Sequence, residues 1–529
     1  MRQDDPMDAG EQRLVRDAVA GRPLATATGL DAHRVGAAYE EVLAQSGRRR
    51  SMGAFYTPSA LIEFLLDQTL QPLLEQAHTP ADVLRLRVLD PACGVGLFLV
   101  AATRRISARL AQLGSSADPA AGIVGIDLDP VAARLTKALL PKARIHTADA
   151  LLADPLSPHS FDVVVGNPPF LNRLQRHSAL SAESSRQVAE MTGTGPYTDV
   201  SAVFLARTTH WLRAGGRAAL VQPISVLSAR DAEPVRRLVG PRLQGVWIGN
   251  SRTFAAGVHV CAVVLGPIAR TEVKLWGPDF EGYPPQPAPR DGSWGPLLAS
   301  VSGVPLVELG GAQTLGALAD CTADFRDQYY GLVDHVREGG PGHRLVTSGL
   351  IDPLVCHWGT RPTRFAKQRY QRPTVGIDQL PDQLRQWAHR RLVPKVLVAT
   401  QGKVLEAVAD PHGEWLPSVP VISVVPRVTD DLWRIVAVLA SPPVSAWAAN
   451  RYAGAGLNPD AVKLSARQIA SIPLPVNERA WQQGADLFAA ASCTGEVETA
   501  MAAGRSMCQA YDVPEDPVLS WWRDRLGRP

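Results

Sequence analysis

The stretch from Arg85 to Phe170 constrains the fold more than any other part of this 529-residue chain. Apolar runs of strand length alternate there with segments of helical period: LRLRVLDPA, GLFLVAATRRISARLAQLG, AGIVGIDLDP, VAARLTKALLP, ARIHTADAL and SFDVVVGNPPF. That alternation predicts a parallel, doubly wound α/β sheet with helices on both faces. It continues through WLRAGGRAALVQPISVL, GVWIGNS and HVCAVVLG, near residue 265.

Two turns in this stretch carry chemistry. The first strand ends in Asp90-Pro-Ala92-Cys93-Gly94-Val-Gly96-Leu-Phe98 and a helix begins at once. Gly94 and Gly96 let the backbone turn tightly and approach a ligand at the carboxyl edge of the sheet, where open α/β sheets bind their ligands. The next strand ends GIDLDP, and an acid at its tip is placed to accept hydrogen bonds from a ribose diol. The glycine spacing is not G-x-G-x-x-G, so a nucleoside without a pyrophosphate is the expected ligand.

The fourth strand runs into Asn167-Pro168-Pro169-Phe170, 77 residues after Asp90. Consecutive prolines fix φ and supply no amide donor, so the turn is stiff and presents the Asn167 side-chain oxygen and the Pro168 carbonyl as two acceptors. An exocyclic amine such as adenine N6 is a poor nucleophile because its lone pair is delocalised into the ring. Accepting both of its N–H protons draws the nitrogen toward tetrahedral geometry and frees that lone pair. Phe170 offers a face on which a planar target can stack. No covalent nucleophile is needed, and Cys93 belongs to the ligand turn, which argues against C5-cytosine chemistry.

With the motif DPACGVGLF, the acid of GIDLDP and the acid of HTADAL, the chain resembles the class I S-adenosylmethionine-dependent methyltransferases. The resemblance implies a Rossmann-like fold and S-adenosylmethionine held by Asp90, Ala92, Gly94 and Gly96, with Asp127 on the ribose (Asp129 being second choice) and Asp149 on the adenine amine. Ala150 and Leu151 stand where that family often has an aromatic. The NPPF tetrapeptide resembles the catalytic motif of the amino-methyltransferases, and its Asn form points to adenine N6 or a glutamine amide. Upstream, Gly53-Ala-Phe-Tyr56-Thr57-Pro58 and the helix SALIEFLLDQTL resemble the segment that closes over the methionine end of the cofactor, which assigns Tyr56 and Thr57 there. The same residues also read as a helix start, with Thr57 as the cap and Pro58 in the first turn. Cofactor helix, cofactor turn, NPPF and a large C-terminal region stand in the order of the gamma-class N6-adenine DNA methyltransferases, TaqI-like in kind. That family implies a flipped adenine sandwiched between Phe170 and Phe254, as an enzyme acting on a base atom requires.

The second half carries the charge. The whole chain is +3, yet Arg337–Lys395 holds eleven Lys/Arg against four acids, an excess of +7 that leaves −4 elsewhere. Within it, Trp358–Arg372 has five cations, no acid and interleaved aromatics, which suits phosphate contacts. RFAKQRYQRP, VPKVLVAT, AVADPHGEW and LSARQIASIPLP resemble the α+β target recognition domain of TaqI-like and related enzymes. The resemblance extends roughly over residues 50–475 and assigns double-stranded DNA contacts to Arg361, Arg364, Lys367, Arg369, Arg372 and Lys395. The expected domains are a helical lead-in (1–48), a catalytic domain (49–270), a Pro/Gly-rich linker (271–319), the recognition domain (320–475) and a helical segment (476–529).

The expectation is therefore a site-specific DNA adenine-N6 methyltransferase, the modification enzyme of a restriction or phage-defence system with a separate partner protein. Two alternatives stay open: a glutamine or ribosomal RNA N6-adenine methyltransferase, and a type I-like modification subunit that needs a specificity partner. The only acid-x-Lys candidate for a fused nuclease, Glu272-Val-Lys274, has no acid in the thirty residues before it, and 52 residues precede Gly53. No run approaches the ~20 apolar residues of a membrane span, and the polar, acidic MRQDDPMDAGEQ is unlike a signal peptide, so a cytoplasmic protein is expected. The six scattered cysteines include no pair at ligand spacing, and no metal site is expected.

Overall fold

The central strands of the first half are nearly unbroken apolar runs, as strands covered on both faces must be. In the computed structural model β1 (Val88–Asp90) and β4 (Phe161–Gly166) are buried at every residue, and β2 (Ile123–Asp127) at all but the last. Full burial of each Val or Leu contributes roughly 1.5–3 kcal/mol, so these strands anchor the sheet. The model describes residues 9–27, 29–45, 57–152, 157–170, 186, 189–195, 198–250, 259–267, 270–289, 292–324, 326–452 and 461–526. They fall into two units, Met1–Leu297 and Leu298–Pro529. No single helix among the described residues is long and apolar enough to cross a membrane.

The first unit holds a nine-stranded sheet in the order β3-β2-β1-β4-β5-β7-β6-β8-β9. Here β3 is Arg144–Thr147, β5 Leu212–Pro223, β6 Leu243–Ile248, β7 Val260–Leu265, β8 Glu272–Trp276 and β9 Gly282–Pro287. β3, β2, β1, β4 and β5 are parallel, and β7 is antiparallel to both β5 and β6. The strand order reverses between β1 and β4, so the carboxyl ends of those two strands flank a topological switch point, where ligands bind in open sheets.

Two expected boundaries are corrected here. The Pro/Gly-rich segment read as a linker contains β8 (Glu272–Trp276), parallel to β6, and β9 (Gly282–Pro287), antiparallel to β8. β9 carries three of the prolines on the last strand of the sheet, where a missing N–H leaves no ladder bond unmade and blocks edge-to-edge pairing. Glu272 and Lys274 are exposed on β8. The lead-in is not separate either. Its helices Ala9–Val19 and Ala32–Gln45 share a buried cluster with Val95 of the glycine turn and with Ala132, Leu135, Ala138 and Leu139 of the helix Pro130–Leu139. Arg134 Nη1 donates to the Ala18 carbonyl at 2.9 Å, and the Ala27 amide to that of Ala138 at 2.8 Å.

The second unit is α+β. One four-stranded antiparallel sheet runs Ala319–Ala323, Ile422–Pro426, Lys395–Val398, Ala407–Asp410. Its core also takes in Val307, the helix Leu432–Leu439, and Phe488, Met507 and Trp522 from the helices Glu478–Thr494, Val497–Tyr511 and Glu515–Arg523. The unit thus begins well before residue 320, and residues beyond 476 complete its core. A second four-stranded sheet (Val336–Glu338, Pro373–Val375, His343–Val346, Trp415–Pro417) packs on its own cluster with Phe365, Tyr370 and Trp387.

Candidate active site

The glycine turn after β1 needs its glycines for two different reasons. Gly94 has φ +54° and Gly96 φ +83°, left-handed conformations that a side chain disfavours. A Cβ on Gly96 would stand 2.6 Å from Thr136 Cγ2, whereas one on Gly94 would meet nothing within 4 Å. Gly96 is therefore closed against the helix Pro130–Leu139, and Gly94 faces open space. Thr136 also donates from Oγ1 to the Gly94 carbonyl at 2.7 Å. Spacing did not reveal this positioning role, because an isolated threonine on a helix has no distinguishing pattern.

Both acids of the turn are engaged by backbone amides. Asp127, at the end of β2, accepts from Gly94 N at 2.7 Å and from Asp129 N at 2.8 Å. Asp90 accepts from Ala92 N at 3.1 Å. Burial pushes the Asp90 carboxyl up to about 8 and that of Asp127 up to about 6, because desolvation disfavours the charged form. Asp129, the second choice for the ribose, is instead the cap of the helix Pro130–Leu139, accepting from Val131 N and from the Tyr39 hydroxyl. Asp149 lies just past β3 and accepts from Leu151 N at 3.0 Å.

S-adenosylmethionine fits this turn on the chemistry of its donors. Gly94 leaves room for it, and the Asp127 carboxylate, with about four lone-pair sites, accepts the amides of Gly94, Asp129 and Leu128 and keeps capacity for a hydroxyl. Cys93 is buried, and burial together with Asp127 and Asp90 holds its thiol well above the ordinary range, so it is no thiolate nucleophile.

The tetrapeptide Asn167–Phe170 follows β4 directly, beside the glycine turn. A Cβ on Gly166 would lie 2.6 Å from Asp90 Oδ1, so the absent side chain lets the two strand ends close on each other. Asn167 Nδ2 donates to Thr57 Oγ1 at 3.0 Å. This turns the amide nitrogen toward Thr57 and its oxygen the other way. It also corrects the expectation that Thr57 caps the following helix: Ser59–Thr69 has Pro58 at its cap position and no side-chain cap bond. The buried Thr57 hydroxyl orients Asn167 instead. Pro168 is buried, while Pro169 and Phe170 are half-buried. Tyr56 and Phe254 lie outside the described residues.

In the second unit the six cations expected at DNA divide sharply. Lys395 is fully buried and bonded through Nζ to Asp410 at 2.5 Å, which corrects its assignment: that ammonium cannot reach a phosphate. Arg361 is half-exposed and holds Asp352 with both terminal nitrogens, at 3.0 and 2.6 Å. Arg364, Lys367, Arg369 and Arg372 are exposed.

Residues 30–239 match the family model of the N-6 DNA methylases. The chain is 25% identical to the type II methyltransferase M.VspI of Vibrio sp. (strain 343), over 38% of this chain and 43% of that protein. It is 27% identical to the type II methyltransferase M.TthHB8I of Thermus thermophilus, over 41% of this chain and 45% of that one. The chain thus matches less than half the length of these relatives. A solved structure of the type IIL restriction-modification enzyme MmeI in complex with DNA superimposes with a TM-score of 0.63 at 14% identity, covering 94% of this chain and 81% of that one. That likeness is one of fold, and it extends over both units.

Proposed function

We propose that the protein is a site-specific DNA adenine-N6 methyltransferase and the modification enzyme of a restriction or defence system, acting on double-stranded DNA in the cytoplasm. The carrying observation is the NPPF turn at the carboxyl end of β4, beside the glycine turn of β1, with Asn167 oriented by Thr57. The match to the N-6 DNA methylases and the names of the type II relatives support the same reading.

S-adenosylmethionine, when bound, supplies an electrophilic methyl group. Gly94 and Gly96 bring the backbone to it, Asp127 accepts from its ribose and Asp149 from its adenine amine, with Tyr56 and Thr57 at its methionine end. Asn167 Oδ1 and the Pro168 carbonyl accept the two protons of the target amine, leaving the nitrogen lone pair directed away from both. Pro169 stiffens the turn, and Phe170 stacks on the flipped base, with Phe254 on its other face. This is positioning and electrostatics without a covalent nucleophile.

Plasmid DNA from a host expressing the protein, read by methylation-sensitive single-molecule sequencing, tests the proposal. The expected result is N6-methyladenine at one recurrent motif. Unmethylated DNA, from protein that binds S-adenosylmethionine, would sink it.

A further inference from the structure

Four exposed cations of the second unit, Arg364, Lys367, Arg369 and Arg372, sit on or beside a β-hairpin of unusual make-up. Thr363–Phe365 pairs with Gln368–Tyr370 in the register Thr363↔Tyr370, Arg364↔Arg369, Phe365↔Gln368. The two-residue loop is Ala366-Lys367, with φ +48° and +69°. Two central residues at positive φ make a type I′ turn, for which Asn-Gly is the usual choice, and neither residue here is Gly, Asn or Asp. Arg364 and Arg369 stand directly opposite each other on one face, and like charges so placed repel.

The other face explains how the hairpin holds. Phe365 and Tyr370 are buried in the core of the second sheet, with the Phe365 ring 4.8 Å from that of Tyr329. Ala366 N donates to the Tyr329 hydroxyl at 3.0 Å, and Thr363 and Thr347 share a buried hydroxyl bond. The ribbon is therefore rigid and displays its basic face outward. The nearby carboxylates are occupied: Glu338 accepts the backbone amides of Gln371 and Arg372 at 2.8 Å each, and Asp352 holds Arg361 and His357. Among the described residues, no ion pair or hydrogen bond engages the charged side-chain groups of Arg364, Lys367, Arg369 or Arg372.

A strained tip and an unrelieved arginine pair serve the fold poorly, and a polyanion would relieve the repulsion of the pair. We infer that the hairpin Thr363–Tyr370 is the element that reads sequence in the major groove of double-stranded DNA. Arg364 and Arg369 reach guanine edges, and Lys367 and Arg372 hold phosphates. The B-form major groove admits a two-stranded ribbon, whereas the deep, narrow major groove of A-form RNA does not. The inference rests on the proposed methyltransferase function and specifies how its target is chosen.

The test uses the full chain, a short duplex carrying the motif read from methylated plasmid, a scrambled duplex, and double-stranded RNA of the motif sequence. R364A/R369A is expected to lower the affinity ratio of motif over scrambled DNA at least tenfold and to relax the methylated motif, while melting at or above the wild-type temperature. The R364K/R369K variant keeps the charge and loses bidentate geometry. It should retain the salt dependence and lose selectivity. K367A should weaken both duplexes equally and reduce the slope of log affinity against log salt by about one. If both arginine variants keep the wild-type motif and affinity ratio, or if RNA competes as well as DNA, the inference falls while the methyltransferase reading stands. A wild-type protein that neither binds nor methylates DNA would overturn both.

Discussion

The glycine turn of the first unit and the basic hairpin of the second are both tight turns with two residues at positive φ, and they use that conformation in opposite ways. At the first the residues are Gly94 and Gly96, with no Cβ to strain: Gly94 leaves the backbone open to a ligand, and Gly96 closes on Thr136. At the second they are Ala366 and Lys367, whose left-handed conformation costs roughly 1–2 kcal/mol each, and the side chains are kept. The polar groups differ in the same sense. The carboxylates of the first turn are bonded to backbone amides and held partly neutral by burial. The cations of the hairpin are solvated and uncommitted. A turn that contacts its ligand through the main chain is built from glycine, and one that contacts it through side chains tolerates strain to display them.

The largest expected effect lies where the first turn is closed. Gly96→Ala adds both left-handed strain and a Cβ at 2.6 Å from Thr136 Cγ2. A loss of about 2–4 kcal/mol follows, read as a lowered denaturation midpoint with weakened binding of S-adenosylmethionine. An alanine variant as stable as wild type would show that the turn is not close-packed there. The opposite sign is expected at the hairpin. Lys367→Gly relieves left-handed strain at the expense of backbone entropy, leaving a net gain of about 0.5 kcal/mol. Its melting temperature should rise by about one to two degrees, while its affinity for DNA falls.

The two turns also separate by pH. The Asp90 carboxyl is raised from 3.8 to about 8 by burial, so the folded protein holds a proton there that the unfolded chain releases above about 4. Its stabilising contribution is complete below pH 3.8 and is lost as pH rises to 8. The melting temperature of the ligand-free protein should therefore decline between pH 5 and 8, and Asp90→Asn should flatten that decline. Parallel profiles for the two proteins would place the titrating group elsewhere. Lys367→Gly should leave the profile unchanged.

Much of the first unit was legible in the sequence because its signals are local. The apolar runs of β1, β2, β4, β6 and β7 and the glycines after β1 are set by neighbours in the chain, as is the stiffness of Asn167-Pro168-Pro169. What escaped depends on partners far along it. Thr57 reads as a cap until Asn167, 110 residues away, takes its hydroxyl. Prolines 284, 285 and 287 read as a linker because nothing local marks a sheet edge, where proline is tolerated. Lys395 reads as one more cation of a basic stretch, and only its pairing with Asp410 on the adjacent strand reveals a core ion pair. Conversely, the run Arg361–Arg372 reads as a single basic patch, although Asp352 takes Arg361 out of it and the hairpin register sets Arg364 against Arg369.

The central claim is that Asn167 activates the target amine by accepting a hydrogen bond from one of its N–H groups and does not hold the cofactor. Asn167→Ala measured for both properties tests this most directly. The account predicts S-adenosylmethionine affinity within a few-fold of wild type by calorimetry, and single-turnover methylation of motif DNA slowed by about 10²–10³-fold, as removal of an aligned polar group at a reacting centre does. A variant that methylates at the wild-type rate, or one that loses cofactor binding and turnover together, would contradict it.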